Sequence, residues 1–348
     1  MTTELYISGD ADKGSQRPAR GEASWLIEEI IKPQLPNILD NVKMCLDLFQ
    51  SGEIYTMPLS SSTKENDHTL PFVKGFIARQ DQYIVDFQAV VRFPHLFNGK
   101  SVLFKKTSED EKFPLVQYQM IIDNLRKITE RLTGIDTTLT EEEFMTMFTE
   151  VMGYLNESVV LLQQPSRELL YPYNNNEPMK QLLGKSYEKL KPLAPNNEIS
   201  LEITLYKNEL CVELRNLTRV TKRPWSVIDP ETGQSFIDKI KQQLTSERTK
   251  SLRTVLHENG IELEDSGFIT TLFNSTFKQD TFTTLKEAQD CLRRGATFDG
   301  IAVLEDAKIL ATTSDPTLIS ISTKLRSLQH SIRTHFENLK IELGSAKR

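Results

Sequence analysis

The stretch from Ile199 to Leu214 reads ISLEITLYKNELCVEL and contains the clearest strand pattern in the chain. Apolar and polar side chains alternate in its first half, and the alternation resumes after Lys207 and Asn208. A period of two places the apolar side chains on one face of a β-strand. Because Lys207 and Asn208 suit a tight turn, the stretch predicts a β-hairpin with one apolar face.

Further strands are predicted on both sides of this hairpin. Towards the C-terminus, Gly300 to Leu304 and Ile309 to Thr312 lie on either side of Glu305 and Asp306, which predicts a second hairpin. Towards the N-terminus, strands are predicted at residues 72–77, 83–93 and 101–105. The polar, Ser- and Thr-rich stretch from Met57 to Leu70 predicts a loop.

Four long segments have apolar side chains three and four residues apart, which is the pattern of an amphipathic helix. They lie at residues 25–50, 114–134, 140–163 and 317–343. Pro33 and Pro36 predict a kink, or a short leading helix before a longer one from Leu35, because proline lacks an N–H. Thr140 and Glu143 form the sequence signature of a capping box. Shorter helices are predicted at residues 179–190, 235–258 and 283–294.

This order of elements predicts an α+β fold. We expect an antiparallel four-helix bundle closed by the N- and C-terminal helices, with a sheet-containing β domain inserted. The expected bundle domain comprises residues 24–56, 113–164 and 317–343, and the expected β domain comprises residues 70–106 and 197–313. Residues 165–196, rich in Pro and Asn, are expected to form a crossover, and residues 1–23 a disordered tail.

The composition favours a globular protein of the cytosol. The 348 residues carry a net charge of −6 with both signs spread along the chain, which makes nucleic acid an unsuitable partner. Cys45, Cys211 and Cys291 lie far apart in apolar patterns and are expected to be reduced thiols. No apolar run approaches the roughly 20 residues that span a bilayer, so we expect no direct membrane insertion.

The motifs of catalysis, cofactor binding and metal binding are missing from the sequence. The Gly-Lys-Ser triplets at 99–101 and 184–186 lack the earlier glycine of a phosphate-binding loop. The five histidines lack the spacing of a zinc site, and no Gly-x-Ser-x-Gly motif occurs. We therefore predict no catalytic, cofactor-binding or metal site.

The triplet Arg223, Pro224 and Trp225 is the one candidate for partner binding. It lies in a polar loop that contains proline and glycine. A tryptophan in such a loop either folds back onto the body of the protein or serves as an anchor in an interface. The sequence leaves both alternatives open.

Three stretches together resemble Rogdi-like proteins. They are Trp25 to Ile30 (WLIEEI), the hairpin Ile199 to Leu214, and Gly300 to Leu310 (GIAVLEDAKIL). The likeness covers most of the chain, and its specificity rests on the order and spacing of the three stretches. The length and the inserts at residues 56–70 and 223–233 look like the family's member in the RAVE complex, a regulator of the vacuolar and endosomal proton ATPase.

The resemblance implies a role as a non-catalytic assembly factor. Such a subunit helps to return the peripheral catalytic sector of the proton ATPase to its membrane sector. The implied partners are the large β-propeller scaffold subunit of RAVE and the peripheral sector of the pump. The implied location is cytoplasmic, with peripheral recruitment to vacuolar or endosomal membranes. The family fold that it implies is a helical-bundle domain joined to a β domain, and no site residue is carried over from the family.

Two other functions remain open at this point. The chain could be an enzyme of an unrecognised type that uses scattered carboxylates, in which case a deep pocket with converging titratable groups is expected. It could instead be a helical tether that forms a homodimeric coiled coil through its final helix. In that case the apolar stripe of the helix would face a second chain.

Overall fold

The N-terminal helical region is divided into short pieces of three helix types. The computed structural model describes residues 20–62, 67–107, 112–135, 140–263 and 282–345. Its first elements are α1 (Arg20–Trp25), a π-helix (Leu26–Ile31), a 3-10 helix (Lys32–Gln34) and α2 (Leu35–Phe49). Pro33 lies in the 3-10 helix and Pro36 in the first turn of α2, where the helix does not need its N–H. The predicted interruption before Leu35 is confirmed.

The first sheet is antiparallel and follows α2 directly. Its strands are β1 (Ile54–Ser60), β2 (Phe72–Gln80), β3 (Tyr83–Arg92), β4 (Val102–Lys105) and β5 (Phe113–Pro114). The order is β1-β2-β3-β4, and β5 also pairs with β3. The predicted loop at Met57 to Leu70 is wrong over β1, where Met57 and Leu59 are buried. Pro58 is tolerated because β1 is an edge strand of this sheet.

Two long helices follow the first sheet. They are α3 (Val116–Thr133) and α4 (Glu141–Gln163), and they pack against each other. The predicted capping box is confirmed: Thr140 Oγ1 accepts from the Glu143 N–H at 3.3 Å, and Glu143 Oε2 accepts from the Thr140 N–H at 2.9 Å. The two bonds satisfy donors that the first turn would otherwise leave free.

The crossover leads to the second sheet through α5 (Glu177–Leu190), which confirms the short helix predicted there. The sheet is antiparallel in the order β10-β11-β7-β6. Its strands are β6 (Asn197–Tyr206), β7 (Glu209–Arg219), β10 (Gly295–Phe298) and β11 (Ile301–Thr313). β6 and β7 form the predicted hairpin, whose turn residues Lys207 and Asn208 have φ values of 52° and 64°. Positive φ at both positions gives the turn the twist that a two-residue hairpin needs.

The predicted second hairpin around Glu305 and Asp306 is wrong. Both halves belong to the single strand β11, which carries an irregularity in its register between Glu305 and Ala307. Asp306 is held there by an ion pair with Arg294 (Oδ1 to Nη1, 2.8 Å) and by a hydrogen bond from Thr218. An acidic pair has the composition of a turn, but a β-bulge accommodates it without reversing the chain.

A layer of short helices lies beside the second sheet. Its members are α6 (Phe236–Ser246), α7 (Leu252–Glu258) and α8 (Leu285–Arg294), with a parallel pair of strands, β8 (Glu262–Leu263) and β9 (Phe282–Thr283). The single helix predicted over residues 235–258 is wrong, since α6 ends at Ser246 and Ser251 caps a separate helix. The helix predicted at residues 283–294 is confirmed as α8.

The last helix, α9 (Pro316–Ser345), packs against α2 and α4. Its buried apolar side chains are alternately three and four residues apart: Leu318, Ile321, Leu325, Leu328, Ile332 and Leu339. His335 occupies the position between the last two, and Phe336 is half-buried beside it. The stripe therefore faces the interior of this chain.

His335 makes the stability of α9 dependent on pH. Its Nε2 lies 2.9 Å from Gln34 Oε1, and burial lowers the pKa of the imidazole below its ordinary value. The unfolded chain therefore binds more protons than the folded chain as the pH falls below about 6.5. The contribution of the neutral imidazole to the free energy of unfolding is fully present above this pH and is lost as the pH falls below it. We expect the free energy of unfolding to fall between pH 7.5 and pH 5.5.

Urea unfolding of the His335→Gln variant at the two pH values tests this expectation. The variant should show a smaller fall than the wild type, because its side chain does not titrate. His330→Gln on the exposed face of the same helix is the matched control and should keep the wild-type fall. An equal fall in wild type and His335→Gln would contradict the assignment to His335.

The core corrects the predicted architecture. The fold is α+β with two antiparallel sheets, and the predicted four-helix bundle closed by the terminal helices, with one inserted β domain, is wrong. Helices α2, α3, α4 and α9 contact one another, but their buried side chains share one continuous core with those of both sheets. Helical periodicity predicts which face is buried, whereas the elements that cover this face come from elsewhere in the chain. The predicted domain boundaries remain a prediction.

Candidate functional site

The loop predicted to bind a partner is partly folded into the protein. Trp225 is 1% exposed and packs edge-on against Phe236 with ring centroids 5.6 Å apart. It belongs to a second apolar cluster formed with α6, α7 and α8, which includes Ile237, Ile240 and Leu256. Of the two alternatives, Trp225 thus takes the position of a side chain that is folded back onto the body.

The other two residues of the triplet are accessible. Arg223 is exposed and Pro224 is half-buried. Lys222, next to them, forms an ion pair with Glu287 of α8 (Nζ to Oε2, 3.0 Å), which holds the loop against the short helices. A partner can therefore contact this loop through Arg223, while the role of the whole triplet in binding remains a prediction.

A buried ion pair joins the first sheet to the start of α9. Arg79 of β2 and Asp315, just before α9, are 236 residues apart in sequence, and Arg79 Nε donates to Asp315 Oδ2 at 2.5 Å. Arg79 also donates to Thr317 Oγ1 at 2.7 Å, and the Tyr118 hydroxyl of α3 donates to Asp315 Oδ2 at 3.0 Å. The cluster thus links β2, α3 and α9.

The electrostatics of this cluster favour the charged forms of Arg79 and Asp315. Burial by itself would raise the pKa of Asp315, but the hydrogen bond and charge of Arg79 outweigh it and hold the pKa below its ordinary value. The guanidinium carbon of Arg79 also lies 5.1 Å from the ring centroids of Tyr55 and Tyr118. Sequence reasoning missed this cluster, whose one visible signal was an arginine inside an apolar strand.

A second buried charge cluster lies on the polar face of the second sheet. Arg215 forms ion pairs with Glu202 (2.5 Å), Glu305 (2.9 Å) and Glu213 on the three longest strands of this sheet. The crossover is fastened to this face because the Tyr171 N–H donates to Glu202 Oε1 at 2.7 Å. Burial raises the pKa of Glu202, although Arg215 opposes the shift. The cluster joins strands and crossover, and it leaves no acid–base pair open to a substrate.

A cleft of about 250 Å³ lies along the free edge of β6, and we call it the β6 cleft. Its walls are β6 from Leu201 to Leu205, the segment from Phe113 to Gln117, and the crossover from Glu168 to Pro178. Gln117 fills one end: its Oε1 accepts from the Leu205 N–H at 2.7 Å, and its Nε2 donates to the Leu205 carbonyl at 3.1 Å. The cleft borders the unpaired edge of a strand whose residues from Leu201 to Leu205 are themselves buried.

An open groove of about 520 Å³ lies between the ends of α3 and α4. Four glutamates line it, namely Glu130, Glu142, Glu143 and Glu150. Arg131 is paired with Glu150 at 2.9 Å. The groove is acidic and solvent-exposed.

The cysteines of the described residues are poorly reactive. Burial raises the pKa of Cys45 and Cys211 to about 11 and also raises that of Cys291, so these thiols stay protonated and are poor nucleophiles. No group of three or more His, Cys, Asp and Glu side chains within the described ranges could hold a metal ion. In the same ranges, no helix has both the length and the hydrophobicity to span a membrane.

The fold and these surfaces define an α+β protein with buried ion pairs, a cleft beside an edge strand and an acidic groove. The chain belongs to the family of Rogdi leucine zipper containing proteins, whose family model matches residues 22–340. This confirms the resemblance seen in the sequence. The family is not enzymatic, so the protein is not an enzyme.

A curated relative from Saccharomyces cerevisiae is similar over nearly its whole length. It is named regulator of V-ATPase in vacuolar membrane protein 2, and it is 47% identical to this chain over 348 residues. The match covers 97% of this chain and 97% of the relative. The likeness therefore extends over nearly the whole of both chains rather than over a single motif.

Proposed function

We propose that this protein is a non-catalytic subunit of an assembly factor for the vacuolar proton ATPase. It promotes the return of the peripheral catalytic sector of the pump to its membrane sector. The observation that supports this role is the 47% identity over 97% of both chains to a protein named as a regulator of the V-ATPase in the vacuolar membrane.

The finer part of the proposal concerns partners and location. The protein binds the large β-propeller scaffold of the RAVE complex and the peripheral sector of the pump. It is cytoplasmic and reaches vacuolar or endosomal membranes through these partners. The accessible surfaces described above support a role in binding, since Arg223 is exposed and the acidic groove is open to solvent.

Complementation in yeast tests the role. The gene of the yeast relative is replaced by one that encodes this chain, and vacuolar pH and the membrane-bound fraction of peripheral-sector subunits are measured. We expect both to return to the values of the parent strain, whereas an empty vector leaves them at those of the deletion strain. No recovery at normal expression of the chain would overturn the proposal. Recovery without co-purification of a β-propeller scaffold would overturn its finer part.

The charge of Arg223 is expected to matter for partner binding and not for folding. Arg223→Glu should reduce the recovery of the scaffold in a pull-down about tenfold, because one favourable contact of about 1.4 kcal/mol is lost at an exposed position. The free energy of unfolding should stay at the wild-type value. Lys286→Glu, an equal change of charge on the exposed face of α8, is the matched control and should bind like the wild type. Equal recovery of both variants would exclude Arg223 as a contact.

A further inference from the structure

The strand β6 is a long edge strand. Among the described residues, the backbone groups on its outer edge have side-chain partners towards its two ends and none in the middle. At one end, Gln117 pairs with both backbone groups of Leu205. At the other end, the Ile199 N–H donates to the Tyr187 hydroxyl. An unprotected strand edge is a template for pairing with another strand, which is why proteins usually cover it.

The unprotected groups belong to Leu201 and Ile203. Backbone groups of every second residue in an antiparallel strand point to the same side. Since Leu205 directs its N–H and C=O away from β7, Leu201 and Ile203 do so too, and their register opposite Leu214 and Val212 agrees with this. Within the described part of the chain, these two N–H and two C=O groups have no hydrogen-bond partner. Leu201 and Ile203 both line the β6 cleft, where they are 1% and 9% exposed.

We propose that the β6 cleft binds an extended peptide segment of a partner protein, which adds to the second sheet as a strand beside β6. The four free backbone groups supply the hydrogen bonds of this addition. From Leu201 to Leu205 the strand rises by about 13 Å at about 3.3 Å per residue, which matches a segment of about five residues. This inference goes beyond the proposed function and stands whether or not the partner belongs to a proton pump.

The walls of the cleft define the side chains of the segment. Two of its walls contribute apolar residues, with Leu115 on one and Leu169 on the other. Glu168 is exposed, and Glu202 is already paired with Arg215. The residues that line the cleft include these two glutamates and no lysine or arginine, while the neighbouring Arg167 is stacked on Tyr173 at 4.0 Å. The segment that fits therefore alternates apolar residues with polar ones and carries a lysine or arginine opposite Glu168.

Peptide selection on the full chain tests this proposal. Random heptapeptides displayed on phage are selected on the immobilised protein, and labelled synthetic copies are titrated by fluorescence polarisation. We expect the selected peptides to alternate apolar and polar residues and to be enriched in lysine and arginine. N-methylation of every second residue should weaken binding at least tenfold in one of the two registers and have little effect in the other. Equal effects in both registers, or selected peptides without alternation, would overturn the strand-addition mode.

Two variants of the protein locate the site. Ile203→Pro removes an N–H that does not bond to β7, so the ladder of the sheet is kept while one free donor of the cleft is lost. Glu168→Lys reverses the exposed charge. Each variant should weaken the binding of the selected peptides at least tenfold, whereas Glu142→Lys in the acidic groove should leave it unchanged. Because Ile203→Pro could also disturb folding, circular dichroism accompanies it, and the N-methylated peptides give an independent test on the wild type.

The alternative occupant is a second copy of this chain. Light scattering of the wild type and of Ile203→Pro distinguishes this case. A dimer that dissociates in the variant would show that β6 pairs with β6 of a second copy of the chain. This result would overturn the proposal that a segment of another protein binds there. An equal mass for both proteins, together with peptide binding to the wild type, supports the proposal.

Discussion

Replacement of Arg79 by alanine is expected to lower the free energy of unfolding by about 3–5 kcal/mol. Arg79 and Asp315 are both fully buried, so the variant leaves the carboxylate of Asp315 without its cation in a medium of low polarity. The hydrogen bond to Thr317 and the contacts with the rings of Tyr55 and Tyr118 are lost as well. A typical domain has only about 5–15 kcal/mol of stability, so the loss is a large share of the total.

A double-mutant cycle separates the pair from its surroundings. Asp315→Ala should cost about as much as Arg79→Ala, whereas the double variant should cost clearly less than the sum, because it leaves no buried charge without a partner. Urea unfolding at pH 7 gives the four free energies. Arg126→Ala breaks an exposed pair with Asp123 and is the matched control, with an expected loss below about 1 kcal/mol. Additive losses in the cycle would show that the two residues act independently.

The second large effect is expected from Leu325→Ala in α9, which should lower the free energy of unfolding by about 2–5 kcal/mol. Leu325 is fully buried in the core that α9 shares with α2 and α4. Removal of its side chain leaves a cavity that the surrounding helices fill only in part. The control is Ile319→Ala on the outer face of the same helix, where the side chain is 56% exposed and little change is expected.

The same variant tests the alternative that α9 is a homodimeric tether. If its apolar stripe joined two chains, Leu325→Ala would weaken a dimer, and the mass measured by light scattering would fall relative to the wild type. We expect equal masses, because the stripe is covered by helices of its own chain. A lower mass for the variant would support the tether.

Much of the local structure could be predicted because it depends on neighbours in sequence. The hairpin of β6 and β7 follows from alternating side chains around Lys207 and Asn208, and the start of α4 follows from Thr140 and Glu143. Local composition led to wrong predictions where contacts in the folded chain place residues typical of loops and turns in strands. Pro58 lies in a strand because that strand is an edge, and Asp306 continues a strand because Arg294 holds its charge.

The candidate surfaces were harder to predict than the elements that carry them. Trp225 could be assigned to a polar loop from the sequence, but its burial against Phe236 depends on a helix that begins eleven residues later. The β6 cleft could not be predicted either. Its opposite wall starts at Phe113. The stretch of β6 whose outer backbone groups lack partners lies between the positions that Gln117 and Tyr187 contact.

By itself, the sequence determined most of the segments that become helices and strands, which faces of the long helices are buried, and the family to which the chain belongs. These properties follow from the periods of 3.6 and 2.0 residues, which act over a few neighbouring positions. The tertiary structure alone decided what covers each buried face and which charges meet inside. Arg79 and Asp315 come together across 236 residues because the core brings β2 and the start of α9 to one place, and no local pattern records that distance.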